Sequence, residues 1–499
     1  MLSEMNTSEI FKLSEDFIES RKNSNNLSTI VDLLSTQEGK LLNCCILSLQ
    51  TMFTHSLLET KSIVTTEAGG KYREWILKNY EEAMPILLTI IKSIKHPYSV
   101  REQAMVTYVN LLKIETLHVN KPQNDAFCLP KLKYYNLLKV LVASKKTKAV
   151  KNKVQTKLIS RFSEFTAMPD VALQTWVSCV TLTKCDKKLP DEGKMRNILH
   201  LLDKTMIPKG MSKEENSEEP FVSKKVHDLP RKAVGKKLTR AVDGVWENMK
   251  KWHHNEGTMH ETLLLLIEKM MDSMSKPKLL TDFFMASLDY GGALSLLSLQ
   301  GVFNLIQKHN IEYPDIYSKL YSLFTPEMLR TRYKQRLFYL SDLFLTSTHI
   351  PEALVAAFAK RLGRLSLTAS ATDILIMIPF IGNLLIRHKG IQKMIHSIEG
   401  GYVEVDPFVE SETDPCKSRA IESCFWELKS LQSHLVPPVA IAARFIDEKL
   451  PTVEWDLADV LEIKYGDVFE KEMNKKAKEI TLNFIPPTSE VLEKLKRNF

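Results

Sequence analysis

Glycine and proline, 17 and 21 among 499 residues, are too scarce for the dense turns of an all-β chain. Cysteine is also sparse. The seven present include the adjacent pair Cys44-Cys45 but no C-x-x-C, which argues against a zinc ribbon and a secreted disulfide framework. Reduced thiols, mostly buried, in the cytosol or nucleus are expected instead. The most apolar stretch, ILIMIPFIGNLLI (374–386), is interrupted by Pro379 and Asn383 and falls short of the ~20 residues a membrane helix needs. It reads as a buried helix, as does 288–306, and no membrane span is expected. The first residues, MLSEMNTSEIFKLSEDFIESRK, carry acids where a secretory signal needs a basic start, so an export signal is not expected there.

Catalytic signatures are missing too. Gly39-Lys40, Gly70-Lys71, Gly193-Lys194 and Gly235-Lys236 all lack the upstream glycine and following Ser/Thr of a phosphate loop. Gly291-Gly292 stands outside any G-x-G-x-x-G pattern and reads as a turn or a close helix contact. Neither H-E-x-x-H nor G-x-S-x-G occurs. The one histidine cluster, WHHNEGTMHE, places His253, His254 and His260 without an i,i+4 pair and reads as a solvated loop, not a metal site. No cofactor is expected, and the chain is not expected to be an enzyme.

What is present is helical periodicity along nearly the whole length. Apolar residues recur at three- and four-residue spacing over 75–94, 98–118, 132–143, 149–166, 169–183 and 193–205, with His96-Pro97 between the first two segments. Such runs, separated by short polar links, predict an all-α fold: a HEAT- or armadillo-like α-solenoid of irregular repeats. Residues 1–205 form the expected N-terminal repeat region. Residues 206–240, charged and containing three prolines, read as a linker or exposed loop. Helices resume near 238–252 and 258–274 within a C-terminal region at 241–475, and 476–499 is a basic tail. Thr325-Pro326-Glu327 predicts a capped helix over 326–346, and Pro351 opens another.

Asp414-Pro415 is expected to open a helix through SRAIESCFWELKSLQSHL (418–435). Its apolar stripe would be Ile421, Cys424, Phe425, Leu428, Leu431 and Leu435, placing Cys424 away from any reactive setting. Trp426 would then fall on the opposite face, beside Arg419, Ser423, Ser430 and Ser433. Two readings are open: packing against a second helix, or an exposed anchor for a partner.

Basic charge is concentrated in three places. Residues 126–163 hold ten Lys/Arg and no acid. Lys145, Lys146, Lys148, Lys151, Lys153 and Lys157 there are candidate phosphate contacts, with Tyr134 and Tyr135 nearby as stacking or core residues. Lys224, Lys225, Arg231, Lys232, Lys236 and Lys237 form a candidate import signal. On the predicted helix 326–346, Arg330 with Lys334 and Arg332 with Arg336 make two i,i+4 pairs, further candidates for RNA contact. Between 327 and 398 ten bases face four acids, and 399–414 then holds six acids and no base. Docking to RNA or a complementary partner, or pairing between the two segments, would each use that polarity.

Three C-terminal stretches together carry a family resemblance. LDYGGALSLLSLQGVF, NIEYPDIYSKLY and the DP…SRAIES…WEL…LQSH segment resemble the CCAAT-binding-factor/Noc domain, over roughly residues 275–475. The resemblance implies an α-solenoid with a Noc-type helical domain, no catalysis, and a nucleolar assembly factor for the small ribosomal subunit. It implies action with nucleolar protein 14 and other small-subunit precursor proteins, on pre-ribosomal RNA, with the Noc domain binding the partner. The family's older name suggests a DNA-binding transcription factor as an alternative, although no zinc-finger spacing or basic-zipper heptad is present. A nuclear transport or membrane-associated adaptor is another.

Overall fold

Helix boundaries follow the cap chemistry of the sequence. Asn255 accepts a hydrogen bond from the Thr258 amide, Thr325 from that of Met328, and Ser370 from that of Asp373, so each side chain satisfies an amide the first turn leaves unpaired. Pro169 begins its helix where a missing N–H has no consequence. The computed structural model describes residues 6–59, 67–118, 129–144, 149–184, 189–208, 221, 231–309, 315–347, 349–396 and 405–474. Among them there are helices and turns but no strand.

Two compact units are formed, Met1–Ile311 and Glu312–Phe499. In the first, the described α-helices run in order: α1 (Thr7–Glu19), α2 (Asn25–Thr36), α3 (Gly39–Glu59), α4 (Glu67–Lys92), α5 (Tyr98–His118), α6 (Lys131–Val142), α7 (Ala149–Thr166), α8 (Pro169–Thr183), α9 (Glu192–Lys204), α10 (Arg231–Met249), α11 (Glu256–Leu265), α12 (Thr281–Leu288) and α13 (Gly292–His309). The contacts have a simple rule: α3 packs on α1, α4 on α2, α5 on α3, α6 on α4, and so on through α9 on α7, α10 on α8 and α11 on α9. Each helix thus rests on the one two before it, giving two layers of alternating members. This is the packing of an α-solenoid.

The expected helices at 98–118, 149–166 and 169–183 match α5, α7 and α8, and α6 and α9 lie within a residue of expectation. Helix α10 begins at Arg231, inside the stretch read as linker; 209–220 and 222–230 lie outside the described residues. Gly291 and Gly292 both have positive φ and turn the chain between α12 and α13. Among the described residues one stretch, Gly39–Leu58 of α3, is long and apolar enough to cross a membrane by length and composition. Here Leu42, Ile46, Leu49 and Phe53 point into the stack and are fully buried.

The second unit contains α14 (Asp315–Ser322), α15 (Pro326–Leu329), α16 (Lys334–Leu345), α17 (Glu352–Ser366), α18 (Ala371–Arg387), α19 (Trp426–Leu431), α20 (Pro437–Ala442), α21 (Leu457–Leu461) and α22 (Tyr465–Met473). The single helix expected over 326–346 is two helices, broken at 330–333, so the i,i+4 pairs Arg330–Lys334 and Arg332–Arg336 do not share one helix face. Phe324, Phe338, Phe358 and Phe380 meet edge to face around α17 and α18, with centroids 5.7–5.9 Å apart.

Helix α18 is the apolar stretch read from the sequence, buried as expected. Its two irregular residues have structural uses. Asn383 forms two hydrogen bonds with the main chain of Trp455, at 2.9 and 2.8 Å, which satisfies an amide buried in an apolar helix. Gly382 leaves room for the Trp455 ring: a Cβ there would lie 2.3 Å from the ring. Arg387 holds the same loop through Glu454 and also bonds Asp342.

Gly382→Ala should therefore displace Trp455. We expect a loss of about 1–3 kcal/mol, read as a lowered melting temperature with a red-shifted tryptophan emission; unchanged emission and melting would show that the ring can move aside freely.

Candidate partner-binding site

The segment 418–435 is not one helix. Pro415–Lys417 and Ala420–Glu422 are single 3-10 turns, Arg419 takes φ 55° between them, Ser423 is extended, and α19 is only six residues long. The expected stripe fails accordingly. Cys424 is exposed and Leu435 is 94% exposed, whereas Phe425, Leu428 and Leu431 are buried.

The cause lies across from the segment, on α17. Lys360 is fully buried, and its ammonium requires three acceptors. It donates to the Cys424 carbonyl at 2.7 Å and contacts Asp406 at 2.8 Å and Glu427 at 2.7 Å. One turn on, Arg364 reaches Asp406 at 2.6 Å and Glu427 at 3.0 Å. Two cations thus balance two carboxylates. Glu427 is itself fully buried and meets both cations at ion-pair distance, without aligned hydrogen bonds to its oxygens. A continuous helix could not aim Cys424 O, Trp426 and Glu427 at one point, because successive residues rotate ~100°. The broken backbone can.

Asp406 is the hub. It accepts from Ser423 Oγ at 2.5 Å, Trp426 Nε1 at 2.8 Å and the Phe408 amide at 3.1 Å, besides the two cations. Burial pushes its carboxyl up, but Lys360 and these three donors outweigh that and hold it well below the usual carboxylate range. Burial pushes the Glu427 carboxyl up, only partly offset by Lys360 and Arg364. Trp426 is 37% exposed. One face of its ring covers the cations, with the Arg364 guanidinium 4.7 Å and the Lys360 ammonium 5.6 Å from the ring centre. The tryptophan closes a charge cluster over α17 while remaining 37% exposed, so it packs against α17 and still offers surface to a partner.

The other expected site residues fall as follows. Arg419 is exposed and pairs with Glu422 at 2.6 Å; Ser423 is buried on Asp406; Ser430 is exposed and bonds Trp426 O at 3.0 Å. Arg330 and Arg332 are exposed in the break after α15, Lys334 pairs with Asp373, and Arg336 lies 5.6 Å over the exposed Tyr339 ring. Lys145, Lys146, Lys148, Lys224 and Lys225 lie outside the described residues. Lys151 and Lys153 are in α7, Arg231 and Lys232 open α10, and Lys157 and Lys236 are exposed while Lys237 is half-buried.

The acid-free run is partly neutralised from elsewhere: Lys133 meets Glu81 and Glu115, and Arg161 meets Glu102 and Glu164. Tyr134 is core, bonded to Thr175. His254 bonds Met249 O and packs against Trp252 and Phe283, which corrects the solvated-loop reading for that residue. Sequence reasoning missed Lys360, Arg364, Asp406 and Glu427. The available signal was a lysine among the alanines of LVAAFAK, where a helix ought to be apolar.

Two family models match the chain: the CBF/Mak21 family over residues 295–443, and the nucleolar complex protein 4-like TPR repeats over residues 2–188. It is 34% identical to nucleolar complex protein 4 homolog B of Xenopus laevis, over 94% of this chain and 91% of that one. Identity is 31% to the Mus musculus homolog (96% and 94% covered) and 33% to the Homo sapiens homolog (87% and 84% covered).

Lys360→Met leaves Asp406 and Glu427 with Arg364 alone, one carboxylate in excess, and should destabilise the second unit by about 3–5 kcal/mol in urea unfolding, with partial recovery on adding Glu427→Leu. For Asp406, whose folded pKa is depressed, the stabilisation is complete above the ordinary aspartate value of about 4 and is lost as pH falls toward the folded value. The stability gap between wild type and Asp406→Asn should accordingly hold from neutral pH down to about 4 and narrow below it; a gap that narrows between pH 7 and 5 would contradict this.

Proposed function

We propose that this chain, which belongs to the nucleolar complex protein 4 family, is a non-catalytic assembly factor that scaffolds pre-ribosomal RNA and protein partners in the precursor of the small ribosomal subunit. The names of its relatives support a nucleolar location and work within a protein complex. The N-terminal repeats, 1–205, are the stacked platform, and the C-terminal region, 241–475, holds the CCAAT-binding-factor/Noc domain. Nucleolar protein 14 is the partner assigned to that domain.

The observation that carries this reading is the charge cluster on α17. Its polar groups are engaged by one another and not by a reacting centre, yet it holds the partly exposed Trp426, with Ser430 exposed one turn on. A tryptophan held in place by buried ions loses little freedom on docking, which suits a protein anchor. Arg330 and Arg332 in the α15–α16 break, and Lys157 with its basic neighbours on α7, supply candidate contacts for RNA phosphates.

Depletion of the protein should cause small-subunit rRNA precursors to accumulate, and wild-type protein should reverse this; normal processing after depletion would overturn the proposal. Trp426→Ala should lose about 1–2 kcal/mol of stability and remain folded, but recover at least tenfold less nucleolar protein 14. Unchanged recovery would remove Trp426 from the interface.

A further inference from the structure

The last described helix, α22, lacks the cover a helix of its size requires. It is nine residues long with no buried side chain, and Tyr465, Phe469 and Met473 recur every fourth residue, 69%, 55% and 68% exposed. A helix this short is marginal in water unless an apolar face is packed. Its surroundings are acidic. Asp459, Glu462, Asp467, Glu470 and Glu472 stand against Lys464 and Lys471 in the α21–α22 hairpin, and an open depression of about 660 Å³ there is lined by four of the acids.

We propose that residues 491–499 of the same chain dock along Tyr465, Phe469 and Met473. Residues 475–499 lie outside the described structure, and their sequence has the complementary chemistry. In VLEKLKRNF, Val491, Leu492, Leu495 and Phe499 recur at helical spacing, with Lys494, Lys496 and Arg497 between them and Glu493 the only acid. Apolar residues would cover the stripe while the cations face Asp467 and Glu470. The connection permits it: residues 475–490 span ~50 Å when extended and ~20 Å as a relaxed coil, against the ~13 Å length of α22. The short tether raises the effective concentration of the segment at the stripe above that of a second copy.

The test uses the full chain with a benzoylphenylalanine photo-crosslinker in place of Phe469. Irradiation should join position 469 to the 491–499 peptide at monomer mass, with a yield independent of protein concentration. A dimer-mass product would assign the stripe to a second copy, and a crosslink elsewhere or none would equally overturn the proposal. The Leu495→Asp/Phe499→Asp variant, checked for an unchanged melting curve of the remainder, should reduce crosslinking at least tenfold and speed amide exchange across 465–473 at least tenfold. Unchanged crosslinking and exchange in a folded variant would overturn it too.

Discussion

The second unit is organised by the need to neutralise one ammonium. Lys360 lies on a helix whose other side chains pack on almost every face, and it cannot reach water. An isolated charge in that position would cost several kcal/mol, so the chain must bring carboxylates to it. Asp406 comes from 46 residues further along and Glu427 from 67. Both must arrive together, for either alone leaves Lys360 and Arg364 in excess. The path of residues 405–431 follows from this: the left-handed Arg419, the extended Ser423 and the short α19 are what the backbone needs to deliver Ser423, Cys424 O, Trp426 and Glu427 to one place.

Buried ion clusters add little net stability compared with apolar packing of the same volume, but they penalise wrong arrangements heavily. Here the cluster joins a buried helix to a segment with little regular structure of its own. Apolar contacts from Phe425, Leu428 and Leu431 supply the burial. Charge pairing then ties that segment to α17 through Asp406, Cys424 O and Glu427.

The first unit was legible in the sequence because its helices obey local rules. Apolar spacing and proline punctuation located α5 through α9 to within a residue, and a stack in which each helix rests on the one two before it adds no long-range demand on helix boundaries. The 418–435 segment has an equally clean helical period and was misread, because the period says which residues can be buried and not whether the backbone between them stays helical. Nothing local to SRAIESCFW reveals Lys360. The split at 330–333 escaped for a similar reason: Leu329, Tyr333 and Leu337 keep helical spacing across a break that turns the chain.

Charge was the least legible property, for a geometric reason. A sequence window counts neighbours along the chain, whereas a solenoid places each helix against others well outside that window. Lys133 belongs to an acid-free run, yet it meets Glu115 and Glu81 and covers the Tyr80 ring at 4.6 Å. Tyr80 in turn donates to Glu115 at 2.8 Å, so the pair is fixed at the α4–α5–α6 contact and contributes to packing more than to surface potential. The acidic segment after residue 399 behaves likewise, since Asp406 is spent on Lys360 and Arg364 inside the fold. The positive surface of the fold is therefore defined by the cations that stay exposed, such as Lys157 and Arg332. A linear count of lysines overstates it.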